Sequence, residues 1–330
     1  MGGNALKNVY TRRYEAEEYR ALAQEVVEAL RGYFPARRVV EIPAYRKKES
    51  FGDLDVLLES DNIFEQGLRA VHALFKPKEV VINGGVISFD YKDFQIDVLQ
   101  TPSKFFQTSL NYFSYNDLGN LVGRIAHAFG HLKLGHEGLH LPLRDNTHLY
   151  TTLEVSQNWE EILPFLGYKY SEWKNGFDDL EQLFSFVSST PYFNKRIFLL
   201  ENRNHASRVR DRKRKTYMGF LKWIEDKNLP EFDYPQNKEE LRRKAFEFFP
   251  GLKEKVKEAE EKHALIVASH EKFNGTLVAS LTGLEGRELG SFMGQFKSAH
   301  GGEDFVLWVL KTPNEVLKEA VQSYFSGLPG

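Results

Sequence analysis

The chain has 330 residues, 42% hydrophobic and 14% aromatic, which describes folded domains and excludes a disordered chain. It has no cysteine, which excludes disulfides and thiolate metal sites, and its net charge of -2 says nothing about partners until the charges are placed. No apolar run approaches about 18 residues and the N-terminus is polar, so neither a membrane span nor a secretory signal is expected, and a cytoplasmic location is.

Residues 14–31 carry Tyr19, Leu22, Val26, Val27 and Leu30 at helical spacing, with Gly32 as a stop. A short strand at 39–42 follows, and then a basic approach ending in Gly52 runs into Asp53-Leu54-Asp55-Val56-Leu57-Leu58. Side chains alternate along a strand, so Asp53 and Asp55 project to one face, roughly 5 to 7 Å apart, while Leu54, Val56 and Leu58 project to the other. Such a pattern alone also suits a solvated edge or a turn cap. Asp61 is expected to cap a helix reaching Phe75, and residues 79–83, 86–91 and 94–100 read as strands joined by Gly84-Gly85 and Lys92-Asp93. Asp97 lies in the middle of the last of these. Three acids facing one way on adjacent strands would repel one another unless cations lay between them. Magnesium takes carboxylate oxygens together with substrate phosphates, and two-metal sites serve phosphoryl transfer.

Pro102 is expected to begin a helix, and Asn116 or Asp117 to cap another that reaches Phe129; residues 132–134 and 138–143 form a small hairpin. Beyond residue 150 strand signals are scarce, and 159–166, 177–187, 216–226, 238–249 and 252–269 show helical period. Residues 226–236 are the linker candidate, and a glycine-rich stretch at 273–296 leads to a last helix at 313–325. The fold class expected is α+β, a mixed sheet followed by a mostly helical domain. The expected divisions are an N-terminal helix at 1–35, a catalytic domain at 36–150 and a helical nucleic-acid-binding domain at 151–330.

Arg46 through Leu58 resembles the catalytic signature of the DNA polymerase beta family (family X), within the polymerase-beta nucleotidyltransferase superfamily. Gln95-Ile96-Asp97-Val98 resembles that family's third-carboxylate strand. Tyr112-Phe113-Ser114-Tyr115-Asn116-Asp117, with Asn120 and Arg124, follows its nucleotide-binding turn and helix at ungapped spacing. The likeness covers about residues 36–143. It implies a polymerase-beta-like palm in which Asp53, Asp55 and Asp97 hold two Mg2+ ions, with Mn2+ able to substitute, and Asp97 orients the attacking hydroxyl. It further implies that Arg46, Ser50, Gly52, Tyr112, Phe113, Asn120 and Arg124 bind a (d)NTP. The acceptor implied is a nucleic-acid 3′ end, DNA or RNA, tRNA included. Two places depart from the pattern: Ile42-Pro43 and Tyr115-Asn116 each stand where the family has Gly-Ser. About 35 residues ahead of the signature leave no room for the family's helical lyase module, so no lyase activity is expected.

Residues 203–215 hold seven basic residues, Arg203, Arg208, Arg210, Arg212, Lys213, Arg214 and Lys215, against the single acid Asp211. That density is expected to form a phosphate-backbone track. His127, His131, His136 and His140 lack a zinc signature and are read as structural or solvated. Residues 273–294, with Gly283-Leu284-Glu285-Gly286, resemble the tail of CCA-adding tRNA nucleotidyltransferases, and a tight helix-helix turn explains the glycines equally. The activity expected is a metal-dependent transfer of a nucleoside monophosphate from a (d)NTP to a nucleic-acid 3′-hydroxyl. A tRNA or RNA 3′-end transferase, transfer to a protein or small molecule, and a non-catalytic nucleic-acid-binding protein are the alternatives.

Overall fold

The computed structural model describes residues 5–61, 65–146, 148–237, 239–301 and 304–327. They fall into two compact units, the described parts of 1–143 with 152–250, and of 144–151 with 251–330.

The first unit opens with β1 (Tyr14–Glu15), α1 (Ala16–Tyr33), β2 (Val39–Glu41), β3 (Ser50–Phe51), β4 (Asp53–Glu59), α2 (Glu65–Phe75), β5 (Val80–Asn83), β6 (Val86–Tyr91) and β7 (Phe94–Thr101). Five of these strands form one mixed sheet in the order β2-β4-β7-β6-β5; β4 and β7 run parallel and the other pairs antiparallel. Alternation sorts the faces. Leu54, Val56, Leu58, Ile96 and Val98 join the apolar stripe of α1 and the buried side of α2 in one core. Leu57 and Leu99, on the opposite face, pack with Ile42 and Phe106. Lys92 and Asp93, with φ of 51° and 55°, make the two-residue turn that fixes the β6–β7 register. The start of the helix expected after Asp61 lies outside the described residues, and Asp61 Oδ1 accepts from the Ser103 amide at 3.2 Å.

After a 3-10 turn at Ser103–Phe105 come α3 (Phe106–Phe113), α4 (Leu118–Ala128), β8 (Lys133–Gly135), β9 (Gly138–Asp145) and β10 (His148–Ser156). The expected small hairpin is therefore a three-stranded sheet of order β10-β9-β8, and its last strand runs across residue 150. Asp117 makes no capping bond.

The helices α5 (Trp159–Phe165), α6 (Tyr170–Asn175), α7 (Leu180–Ser188), α8 (His205–Arg212), α9 (Lys215–Glu225) and α10 (Glu239–Phe248) complete the first unit. Asn158, Asp179 and Asn204 cap α5, α7 and α8 with their side-chain oxygens. Trp159, Phe193, Phe198, Tyr217 and Phe220 are fully buried. These helices share a unit with the sheet, so the division falls after residue 250 and differs from the expected 150/151 boundary; likewise α1 lies in the sheet's own core. The linker candidate is pinned inside the first unit: the Phe232 amide donates to Phe193 O, the Asn194 amide to Phe232 O, and the Tyr234 hydroxyl to Tyr192 O.

The second unit consists of α11 (Leu252–Lys272), α12 (Gly275–Thr282), α13 (Gly286–Ala299), α14 (Phe305–Lys311) and α15 (Asn314–Ser326). Phe273, Val278, Phe292, Phe296, Phe305, Val309, Leu317 and Val321 form its core. The glycine-rich stretch is thus mostly helical, and Gly283 ends α12 in a left-handed conformation, with φ of 73°. The 144–151 segment belongs to this unit, where Tyr150 stacks on His263 at 3.8 Å and 4°.

Candidate active site and the basic helices

Parallel pairing of β4 with β7 sets Asp55 directly opposite Asp97, and antiparallel pairing of β7 with β6 sets Ser88 opposite Asp97 on the other side. Asp53 lies two residues before Asp55 on the same face. Carboxylate oxygens of Asp53, Asp55 and Asp97 all come within 4.8 Å of one another, and among the described residues no other group of three or more acids, histidines or cysteines does so. Asp53 is only 8% exposed. Burial, with the charges of Asp53 and Asp97 beside it, pushes the Asp55 carboxyl up to about 8. Burial also pushes Asp97 up to about 6, opposed by hydrogen bonds from Ser88 and Gln95. Gln95 Nε2 donates to both oxygens of Asp97, at 2.9 and 3.1 Å. Three converging carboxylates that repel one another are the ligand set a hard divalent cation takes, so the cluster could hold a metal.

Sequence reasoning missed Lys48, a member of the basic approach. Its ammonium sits 4.4 Å from the centre of the Phe51 ring, and the Phe51 ring stacks on Tyr19 at 3.6 Å and 7°. Tyr19 in turn donates to Glu41 at 2.9 Å. Burial lowers the Lys48 pKa, and the opposing charges of Asp53 and Asp55 are the next largest influences on it.

Several of the expected nucleotide-binding residues have partners within the fold, and Gly52 directly precedes Asp53. Arg46 Nε pairs with Asp178 and its Nη1 donates to Asn175 O at 2.7 Å. The amides of Arg46 and Lys47 donate to Phe177 O and Asp178 O, which latches the signature loop onto the segment after α6. The Ser50 hydroxyl and carbonyl take the guanidinium of Arg13. Gly52 is buried in the bend between β3 and β4. Tyr112 and Phe113 end α3 edge to face at 5.4 Å, and Phe113 stacks on His136. Arg124 spends Nε and Nη2 on Ile197 O, at 3.2 and 2.9 Å. Asn120 Oδ1 accepts from Arg210 at 3.5 Å, while its buried amide nitrogen has no partner.

Tyr115 and Asn116, where glycine and serine would stand, have φ of 60° and 62°. Left-handed backbone is strained for a residue as bulky as tyrosine. It is held by edge contacts of the Tyr115 ring with Trp173 and Phe177 and by the bond from the Tyr115 amide to Pro43 O at 2.7 Å.

The basic run divides by partner. Arg203 and Asp211, with side chains 4% and 0% exposed, pair at 2.8 Å, and Arg210 adds a second contact to Asp211 at 2.9 Å. Arg214 pairs with Asp117, the acid expected to cap α4. Arg203 and Arg214 are thereby spent on buried acids, while Arg210 keeps a half-exposed side chain beside its contact to Asp211. Arg208, Arg212, Lys213 and Lys215 are exposed or half-buried and make no ion pair among the described residues. The signal was available: a lone acid among seven bases, once buried, must collect some of them. Of the histidines, His127 and His131 meet edge to face at 5.5 Å, His136 lies on Phe113, and His140 Nδ1 bonds Gly138 O.

No protein-family model matches the chain, and no curated protein matches it. No helix among the described residues is long and apolar enough to cross a membrane.

Proposed function

We propose that this chain is a metal-dependent nucleotidyltransferase of the DNA polymerase beta-like kind, whose five-stranded mixed sheet is the palm. The observation that carries the reading is the convergence of Asp53, Asp55 and Asp97 oxygens within 4.8 Å on one face of that sheet. Asp53 and Asp55 would hold both ions and Asp97 one of them. Divalent magnesium or manganese, when bound, polarises the triphosphate and stabilises the charge that develops on the leaving group.

In this reading a nucleic-acid 3′-hydroxyl oxygen bonds to the α-phosphorus of a (d)NTP, the bond from that phosphorus to the bridging oxygen of the β-phosphate breaks, and pyrophosphate leaves with the electron pair. Asp97 orients the hydroxyl and takes its proton. Gln95 and Ser88 keep that carboxylate turned to its task by bonding it from the strand side. Arg208, Arg212, Lys213 and Lys215 hold the acceptor's phosphates, which makes binding salt-sensitive and nearly blind to sequence.

Labelled DNA and RNA primers, with and without template, incubated with Mg2+ or Mn2+ and each dNTP or NTP separately, test the reading. Extension that disappears in Asp97→Ala is expected. RNA-only extension assigns a tRNA- or RNA-end transferase, and no incorporation on any primer sinks the nucleic-acid reading.

A further inference from the structure

Residues 5–15, ahead of α1, are fastened along their length to the end of the sheet that carries the acids. The Ala5 amide donates to Gln95 Oε1 at 2.9 Å, and the Leu6 side chain is buried. The Glu79 carboxylate accepts from the amides of Lys7 and Asn8 and from the Asn8 side chain, at distances between 2.8 and 3.1 Å. Further on, the Arg12 amide donates to Asp93 O at 2.9 Å, the Tyr14 hydroxyl donates to Lys92 O, and the Tyr14 ring meets Phe94 at 4.4 Å. β1 then pairs with β3, setting Tyr14 opposite Phe51, two residues before Asp53. One strap of backbone thus grips β7 beside Asp97 and β3 beside Asp53.

Gln95 is where the strap meets the acids. It is 2% exposed, stands opposite Asp53 in the β4–β7 register, and lies two residues before Asp97 on the same face. A carboxamide offers an acceptor oxygen at one end and two N–H donors at the other, and a backbone amide can only donate. The Ala5 amide therefore fixes which way Gln95 is turned: Oε1 toward residue 5, and Nε2 toward Asp97, whose two oxygens accept at 2.9 and 3.1 Å. Without a donor at residue 5 the carboxamide would be free to turn over and set its oxygen against a carboxylate. A carboxylate has about four lone-pair sites, so two bonds from Gln95 leave the others for a cation. We propose that the strap is part of the metal site: the Ala5 amide orients Gln95, and Gln95 holds the Asp97 carboxylate in the orientation that converges with Asp53 and Asp55. The assignment rests on the metal-site reading. Ala5 and Gln95 are positioning groups in it, of the kind that orients a ligating side chain from behind.

The test compares wild type with Ala5→Pro, which deletes the donor, Ala5→Gly, which restores it, Gln95→Met, which keeps the side chain's length without its carboxamide, and Glu79→Ala, which unpins the strap away from the acids. Hydrogen exchange in EDTA reads the strap, electron paramagnetic resonance reads Mn2+ binding, and urea midpoints read the fold. Ala5→Pro and Gln95→Met are expected to weaken Mn2+ binding by about tenfold or more under conditions where both are folded, and Ala5→Gly to recover it to within about threefold of wild type. Glu79→Ala is expected to speed exchange across residues 5–8 and to weaken Mn2+ binding about threefold or more, and it carries the test if Gln95→Met does not fold. Wild-type Mn2+ affinity in Ala5→Pro together with Glu79→Ala or Gln95→Met overturns the assignment and leaves the enzyme reading standing. An equal loss in Ala5→Gly and Ala5→Pro overturns it as well, because the donor is then not what matters. Wild-type protein that binds no Mn2+ overturns the assignment and the metal-site reading together.

Discussion

Asp55 and Asp97 face each other across a pair of parallel strands, each the register partner of the other. Parallel pairing holds their α-carbons about 4.8 Å apart, so the two carboxylates cannot both carry charge without a counter-ion.

Removing one of them should therefore alter how stability depends on pH. The Asp55 carboxyl rises from its ordinary 3.8 to about 8 on folding, so between those values the folded chain binds the extra proton. The group's stabilising contribution is complete below its unfolded pKa and is lost as pH rises to about 8. Thermal melts in EDTA are expected to show stability falling from pH 5 to 8.5, with a flatter profile in Asp55→Asn. Identical slopes in the two proteins would rule out a buried acid at this position.

Metal should reverse that loss. Mg2+ or Mn2+ at about 100 times its dissociation constant is expected to add about 2.7 kcal/mol to the wild type. The gain should grow with pH, because metal and protons compete for the same oxygens. Asp97→Asn is expected to lower Mn2+ affinity about tenfold or more, since it removes one charged ligand. Calorimetric titration at pH 6 and pH 8 reads both effects.

Breaking the buried pair beneath α8 should cost far more than removing a neighbouring charge. Asp211→Ala leaves Arg203 uncompensated in the interior and is expected to destabilise by about 3 to 5 kcal/mol. Arg212→Ala should stay within about 0.5 kcal/mol. Urea unfolding distinguishes them, and comparable losses would contradict the division of the basic run.

Nucleic-acid binding in the proposed reading should draw on Arg208, Arg212, Lys213 and Lys215. Each alanine at Arg208, Arg212, Lys213 or Lys215 that removes a phosphate contact is expected to lower the salt slope of log K by about 1. Gel shifts across salt concentration measure the slope. A quadruple variant that binds DNA and RNA with the wild-type slope would move the acceptor surface elsewhere.

Gly119 brings α4 against the end of α3: a Cβ there would lie 2.1 Å from Tyr112 O. Gly119→Ala is expected to cost about 1 to 3 kcal/mol and to move Tyr112. Urea midpoints together with tyrosine fluorescence report the two effects.

The sheet was legible because polar and apolar residues alternate at the start of β4 and along β7, and because the turns joining β5, β6 and β7 carry residues able to take positive φ; the three acids followed from that alternation. β10 was not, since His148–Ser156 is mostly half-exposed and offers no apolar face to read. The grouping of helices was equally hidden. Periodicity marks a helix's buried side but does not name the surface it packs on, so α5 to α10 read as a domain apart. Lys48 and Arg46 look alike in a basic run; only the fold turns Arg46 toward Asp178 and lays Lys48 over the Phe51 ring.

The two positions where the chain breaks from the polymerase pattern touch each other, through the bond from the Tyr115 amide to Pro43 O. They behave as one compound substitution. Placing glycine and serine at 42–43 alone keeps that backbone acceptor but removes the proline ring that fixes it, and placing them at 115–116 alone strips the ring from its contacts with Trp173 and Phe177. A double-mutant cycle across the pair should therefore be strongly non-additive. The start of the loop at 42–43 and the turn at 115–116 would then have to be exchanged together.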